Sequence, residues 1–305
     1  MPIVQTDVPM TSRLASRAVS LLALRYDTCR ADLLTFSGFG RPVRMLWIGR
    51  GQRRLLFSAA HHANEWLTAT VLLKFAEDYA RAIAEDSEIF GQNARELYNS
   101  TTLGLIPMMD PDGVDLVTGA IVPGSPQYNL ARQIADGFPQ IPFPSGWKAD
   151  LQGVDLNLQY PAGWLQAREI KFSQGFTGPA PRDYVGSYPL SQREPRALAE
   201  LTRDFDPDLV LAYHSQGKLI FYQFQDIEVP GAQELADRFA QVSGYTVAEV
   251  PYNSSFAGYK DWFIQEFRRP GFTIEVGQGV NPLPIEQFDE IYRDNLGILV
   301  TALTG

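Results

Sequence analysis

The 305-residue chain contains three histidines, and two of them, His61 and His62, stand side by side in HHANEW. Glu65 follows His62 by three positions, where an apolar pattern of helical spacing begins. On an opening helical turn that spacing puts both side chains on one side. Imidazole and carboxylate are both good zinc donors, and three protein ligands plus one water describe a catalytic zinc site. The third donor must come from elsewhere. His214, ending the apolar run DLVLAYH, is the remaining histidine besides His61. Strand ends are where α/β sheets present functional groups. The plainer account is a capping Glu beside two polar loop histidines, and an H-x-x-E match alone does not decide between them.

Two further carboxylates stand out. Asp155 in GVDLN is placed to orient a ligating imidazole from behind, although a simple Gly-Val-Asp turn would also explain it. Glu275 is the one carboxylate of the apolar run GFTIEVG. A carboxylate there is costly unless it is paired or used.

The elements that must position these residues follow from periodicity and turn signals. A helix is expected at the N-terminus, with short strands in LLTFSGFG, RPVRMLWIG and RRLLFSAA and hairpin turns at FGRP and GRGQ between them. WLTATVLLKFAEDYARAIAED reads as a helix and EIFGQNARELYNS as a second one. TTLGLIP reads as a buried strand ending in the turn MMDPDG. From about Gly119 to Ser191 the pattern breaks into Pro- and Gly-rich pieces, and a stretch of that length without structure is uncommon unless its loops are functional. SQREPRALAELTRDF resumes as a helix, with Ser191 as N-cap and Glu194 at the third helical position. DLVLAYH, KLIFYQF and GFTIEVG read as strands, and VPGAQELADRFAQVSG and the C-terminal PIEQFDEIYRDNLGILVTALTG as helices. Strands alternating with helices argue for an α/β sandwich. The chain reads as one domain over residues 1–305, with the N-terminal helix at about 11–30 and the core at about 31–305.

Composition narrows the class. Lys and Arg total 26 against 35 Asp and Glu, a net charge of -9 with no basic stripe, which argues against nucleic-acid and anionic-membrane partners. The single cysteine, Cys29, excludes an internal disulfide. AVSLLAL is flanked by arginines at amphipathic spacing, unlike the unbroken core of a secretory leader. No run approaches the ~18 apolar residues of a membrane span. A cytoplasmic location is therefore the expectation, and oligomeric state is left open.

Taken together and in order, HANEWLT, GVDLN, AYHS and FTIEV resemble the zinc carboxypeptidase superfamily. The resemblance runs from about Arg41 to the C-terminus. It implies a mixed, twisted sheet sandwiched between helices, and one Zn2+ per chain, held by His62, Glu65 and His214, with Asp155 behind the first imidazole and Glu275 as catalytic base. It also implies a cation for the tetrahedral oxyanion a few residues before GVD, where Lys148 stands in place of the usual Arg. A lysine offers a point charge without the planar fork, and an ordinary surface lysine is the competing account. His61 precedes the first ligand and is expected to pack or hydrogen-bond beside the site, shaping the pocket with Asn157, Leu158 and Ser215.

Two departures concern the substrate. Where the family pairs a C-terminal carboxylate with Asn-Arg, this chain has Asn157 and Leu158, and an aliphatic side chain cannot do that. The covering tyrosine expected after Asp-Trp is replaced by Phe263 or Ile264 in KDWFIQEF, unless Tyr259 serves. With HHANEW, MDPDGVDLVTG, GVDLN-x-Q and PAGW, the chain is most similar to the γ-D-glutamyl-meso-diaminopimelate endopeptidase branch. A peptide or muropeptide substrate is then expected. No wall-binding module is evident in the sequence, so soluble muropeptides are the expected form. The competing enzyme readings are an ordinary metallocarboxypeptidase and a zinc deacylase of small N-acyl amino acids. A metal-dead binding module is a third, but the three ligand positions and Glu275 are all present.

Overall fold

The computed structural model describes residues 2–304. α1 (Ser12–Arg25) is capped by Thr11, whose hydroxyl accepts the Leu14 N–H. β1 (Cys29–Phe36) and β2 (Pro42–Gly49) form an antiparallel hairpin, and β3 (Arg53–Ala59) follows. Then come α2 (Leu67–Ala84), the two-residue strands β4 (Glu88–Ile89) and β5 (Gln92–Asn93), α3 (Ala94–Ser100) and β6 (Thr101–Ile106). α4 (Pro111–Val117), α5 (Pro126–Ala135), α6 (Trp164–Ser173) and α7 (Arg193–Phe205) lead to β7 (Leu209–His214) and β8 (Leu219–Phe221). α8 (Ala232–Ser243), β9 (Thr246–Val247), α9 (Tyr259–Phe267), β10 (Gly271–Glu275) and α10 (Phe288–Thr304) complete the order.

Among the described residues the main sheet has eight strands in the order β1-β2-β6-β3-β7-β10-β8-β9. Its centre, β6, β3, β7 and β10, is parallel. β1 with β2, β2 with β6 and β8 with β10 are antiparallel, so the sheet is mixed, as the family resemblance implied. β7 shows why the centre reads as unbroken apolar sequence. All six of its residues are buried, because helices cover both faces. Leu209, Leu211 and Tyr213 pack into the cluster that holds the apolar faces of α1, α2, α8 and α10. Val210 and Ala212 point the other way, into the cluster with α6, α7 and α9.

The structure corrects several local expectations. GRGQ does not close a hairpin, because β6 lies between β2 and β3; turn chemistry marks a reversal but does not say which strands pair. The segment expected as one helix at EIFGQNARELYNS begins with the β4–β5 hairpin, and α3 starts only after Asn93, whose side chain accepts the N–H groups of Arg95 and Glu96. The first helix ends at Arg25, so Cys29 and Arg30 belong to β1. β8 spans only Leu219–Phe221. MMDPDG is not merely a turn: Asp110 caps α4 by accepting the Gly113 N–H, and Pro111 occupies the first turn. The Pro- and Gly-rich middle likewise contains α5, capped by Ser125, and α6. Gln192, not Ser191, holds the cap position of α7; the Ser191 hydroxyl instead donates to Gln159, and Glu194 accepts the Gly38 N–H. No helix among the described residues is long and apolar enough to cross a membrane.

Candidate active site

Three adjacent parallel strands deliver the chemistry from their C-terminal ends. β3 ends at Ala59 and runs directly into His61, His62 and the single 3-10 turn Ala63–Glu65. The Thr68 hydroxyl fastens this turn, accepting the Ala60 N–H at 3.0 Å and donating to the Glu65 carbonyl at 2.7 Å. β7 ends at His214 and β10 at Glu275, and the two residues are register partners. His62, His214 and Glu275 all line one cleft of about 330 Å³.

Within it, the His62 Nδ1 and Glu65 Oε1 atoms are 2.9 Å apart, the His214 Nδ1 and Glu65 Oε2 atoms 2.9 Å, and the two Nδ1 atoms 3.2 Å. Donors that each bind a tetrahedral zinc at about 2.0–2.1 Å lie roughly 3.3 Å from one another. The spacing and the two-nitrogen, one-carboxylate donor set both fit that ion. These three residues are all buried, with candidate ligand atoms within 4.8 Å of one another. Asp155 completes the arrangement: its Oδ1 is 3.2 Å from His62 Nε2, which fixes the ring with Nδ1 facing the other donors.

The charges follow from crowding in a dry place. Burial works against the His62 cation, but the Glu65 and Asp155 carboxylates outweigh it and raise the imidazole pKa to about 9. Burial likewise opposes the Asp155 anion, and its bond to His62 together with Lys148 nonetheless holds it below the usual carboxylate range. Glu275 is pushed up to about 8, first by burial and then by the Glu65 charge, while Lys148 and His62 pull the other way. Lys148 Nζ is 3.2 Å from Glu65 Oε1, so the lysine is a cleft residue and not a surface one. Burial opposes its charge, and Glu65 and Asp155 hold its pKa above the ordinary value.

The other expected residues divide. Asn157 and Leu158 line the cleft, but Asn157 Oδ1 is engaged by the Tyr259 N–H at 3.1 Å. Ser215 also lines it, its hydroxyl bonded to Asn281 at 2.8 Å. His61 is not a cleft residue. It is fully buried, stacked between His214 and Tyr259, with Nε2 3.3 Å from the Tyr160 hydroxyl. Nor is there a covering aromatic after Asp-Trp: Phe263 and Ile264 are wholly buried on α9, and the Tyr259 hydroxyl is spent on Thr202.

Five charged cleft residues escaped the sequence reading: Lys171, Arg182, Asp183, Lys260 and Asp261. Lys171 and Lys260 are buried and paired to Asp183 and Asp261, at 2.6 and 2.5 Å. The signal was weak. The adjacent charges Arg182-Asp183 and Lys260-Asp261 look like ordinary solvated pairs until the fold turns them inward.

The zinc carboxypeptidase family model matches residues 22–297, and the chain belongs to that family. It is a zinc metallopeptidase, and the group of His62, Glu65 and His214 could hold the ion. Among curated proteins it is 43% identical, over 285 residues, to gamma-D-glutamyl-L-diamino acid endopeptidase 1 of Lysinibacillus sphaericus, covering 93% of this chain and 70% of that one. Two solved structures share the fold. Thrombin-activatable fibrinolysis inhibitor has a TM-score of 0.77 at 15% identity, covering 100% of this chain and 76% of that one. Carboxypeptidase A from Helicoverpa armigera has a TM-score of 0.71 at 18% identity, covering 99% and 75%.

Proposed function

We propose that the protein hydrolyses the γ-D-glutamyl–diamino acid bond of bacterial cell-wall peptides. The observation that carries this reading is the 43% identity, across 93% of the chain, to an endopeptidase named for that bond. The cleft supports it in one respect. Leu158, directly after Asn157, is apolar and packed into the cluster of α6, α7 and α9, so that position offers no guanidinium to a C-terminal carboxylate.

In this reading His62, Glu65 and His214 hold zinc. Zinc held there would supply polarisation of the scissile carbonyl and acidification of the attacking water. Glu275 takes that water's proton and passes it to the leaving amine. Lys148 holds a fixed positive charge on the cleft wall for the developing oxyanion. Asp155 keeps the His62 ring oriented. A cytoplasmic site of action on soluble muropeptides belongs to the same proposal.

The test is to incubate zinc-loaded protein with L-Ala-γ-D-Glu-meso-diaminopimelate, with and without chelator, and identify products by mass. Chelator-sensitive release of free diaminopimelate is the expected result. Release of C-terminal residues from ordinary peptides, with that tripeptide left intact, would move the protein to the metallocarboxypeptidase reading.

A further inference from the structure

Of the four cations in the cleft, Arg182 has no partner for most of its donors. Lys171 and Lys260 are buried and spent on Asp183 and Asp261, and Lys148 stands against Glu65. The Arg182 side chain is 43% exposed, and its one hydrogen bond among the described residues runs from Nε to Asp183 Oδ2 at 2.6 Å. Its Nη groups therefore remain available, in the planar fork that matches a carboxylate.

The placement of Arg182 is built, not incidental. The Pro181 carbonyl accepts the N–H groups of Lys148 and Ala149 at 2.7 and 3.0 Å. The segment carrying Arg182 is thus stitched to the one carrying Lys148. Asp183, which grips Arg182, has φ +65, a left-handed conformation that few non-glycine residues adopt. It is held there by its own N–H, which donates to Asp155 Oδ2 at 3.3 Å, and by Lys171 at 2.6 Å. Asp155 in turn contacts His62. A continuous set of contacts therefore fixes the guanidinium relative to the metal donors.

We propose that Arg182 determines specificity by binding a substrate carboxylate on the acyl side of the scissile bond, the α-carboxylate of the γ-linked D-glutamyl residue, with Asp183 as its positioning residue. The inference rests on the γ-glutamyl reading above. Lys148 is assigned to the scissile carbonyl oxygen, so its tethered neighbour Arg182 faces the acyl portion. A γ-linked glutamyl unit carries a free carboxylate a short alkyl chain from the scissile carbonyl. An ordinary α-linked peptide has a neutral backbone amide in that region. A cation fixed here favours the γ-linkage without any change in the metal site.

The same chemistry is present in the carboxylates of the diamino acid, and the experiment separates the two sources. Wild-type and Arg182→Gln enzymes, zinc-loaded, are compared on L-Ala-γ-D-Glu-diaminopimelate, on its glutamyl α-amide, and on the analogue amidated at the diamino acid carboxylates. The wild type is expected to prefer the free acid over the α-amide by roughly 10- to 100-fold in kcat/KM, the scale of a lost charge-assisted bond. Arg182→Gln should erase that preference, cleave the α-amide as well as the wild type does, and keep its zinc content and melting temperature. Asp183→Asn should raise KM for the acid with kcat for the α-amide unchanged. Equal losses on acid and α-amide in Arg182→Gln would overturn the inference alone, as would a loss of preference confined to the diamino acid carboxylates. A wild type that cleaves no γ-glutamyl peptide would overturn the proposed function and this inference with it.

Discussion

His214 and Glu275 face each other as register partners across the parallel strands β7 and β10. One ladder therefore sets the distance between a proposed metal donor and the carboxylate proposed as base, and neither relies on a loop for its position. Glu275→Gln preserves shape and the cleft wall while removing the proton acceptor. It should bind zinc with wild-type stoichiometry and lose roughly 10²- to 10⁴-fold in kcat. Zinc content by elemental analysis beside steady-state rates checks this, and near-normal turnover would mean another group takes the proton.

At the proposed site, zinc competes with a proton for His62. In the metal-free site Glu65 and Asp155 raise the imidazole pKa to about 9, and a ligand must be neutral to coordinate. Below that pH the proton has to leave as the metal enters. Apparent zinc affinity should thus strengthen about tenfold per pH unit on approaching pH 9 and then level off. Competition titrations against a chelator of known affinity across this range would show the slope; a flat profile would contradict it. Asp155→Asn, which weakens the hold on His62 Nε2, should cost roughly 10- to 100-fold in zinc affinity.

How much of this was readable in advance depends on what each residue needs from the fold. His62, Glu65, His214, Asp155 and Glu275 stood out as candidates through the ordered family motifs and because each sits at a strand end or opening turn, a position periodicity can locate; the structure brings them to one place. The alternation that fills both faces of β7 was legible for the same reason. The insertion of β6 between β2 and β3 was not, since pairing is decided by which apolar faces meet after collapse and local turns are silent on it. His61 shows a similar limit. Its adjacency to His62 suggested the pocket, yet consecutive residues entering a turn point apart, and His61 ended against Tyr160 and Tyr259. Arg182 and Lys260 look like solvated charges in sequence; only the fold, which brings a loop and the first turn of α9 together, shows that they line a cleft.

Glu194 supplies a pH test independent of catalysis. It is 1% exposed, one carboxylate oxygen accepts the Gly38 N–H, and the other has no partner among the described residues. Burial, and next the Asp112 charge, raise its pKa from 4.5 to about 7. The folded state thus holds a proton that the unfolded chain releases between those values, so stability should fall as pH rises from about 4.5 to 7 and then flatten. The difference of 2.5 units corresponds to about 3 kcal/mol. Asp110 and Asp150, also raised by burial, add in the same direction. Glu194→Gln should abolish part of this decline and be more stable than wild type at pH 8. Denaturant midpoints at pH 5 and pH 8 for both proteins would show it, and parallel pH profiles would refute it.

Gly113 joins three parts of the site at one point. A Cβ there would overlap Asp110 Oδ2, the Ala149 carbonyl and the Cβ of Ala63. Ala63 begins the turn that carries Glu65, and Ala149 follows Lys148. Its backbone is unremarkable helix, so propensity alone would make Gly113→Ala stabilising by about 1 kcal/mol. The overlap involves backbone and a capping carboxylate rather than a flexible tip, and overpacking of that kind costs about 1–3 kcal/mol. The second effect should win. Gly113→Ala is expected to lower the melting temperature and to weaken zinc binding, because the displaced neighbours are those that set the His62–Glu65 turn. Gly178→Ala, which meets nothing within 4 Å, is the control and should change stability by less than about 0.5 kcal/mol. Thermal melts with and without zinc measure both effects, and a Gly113→Ala protein as stable as wild type would show that the site yields where the packing says it cannot.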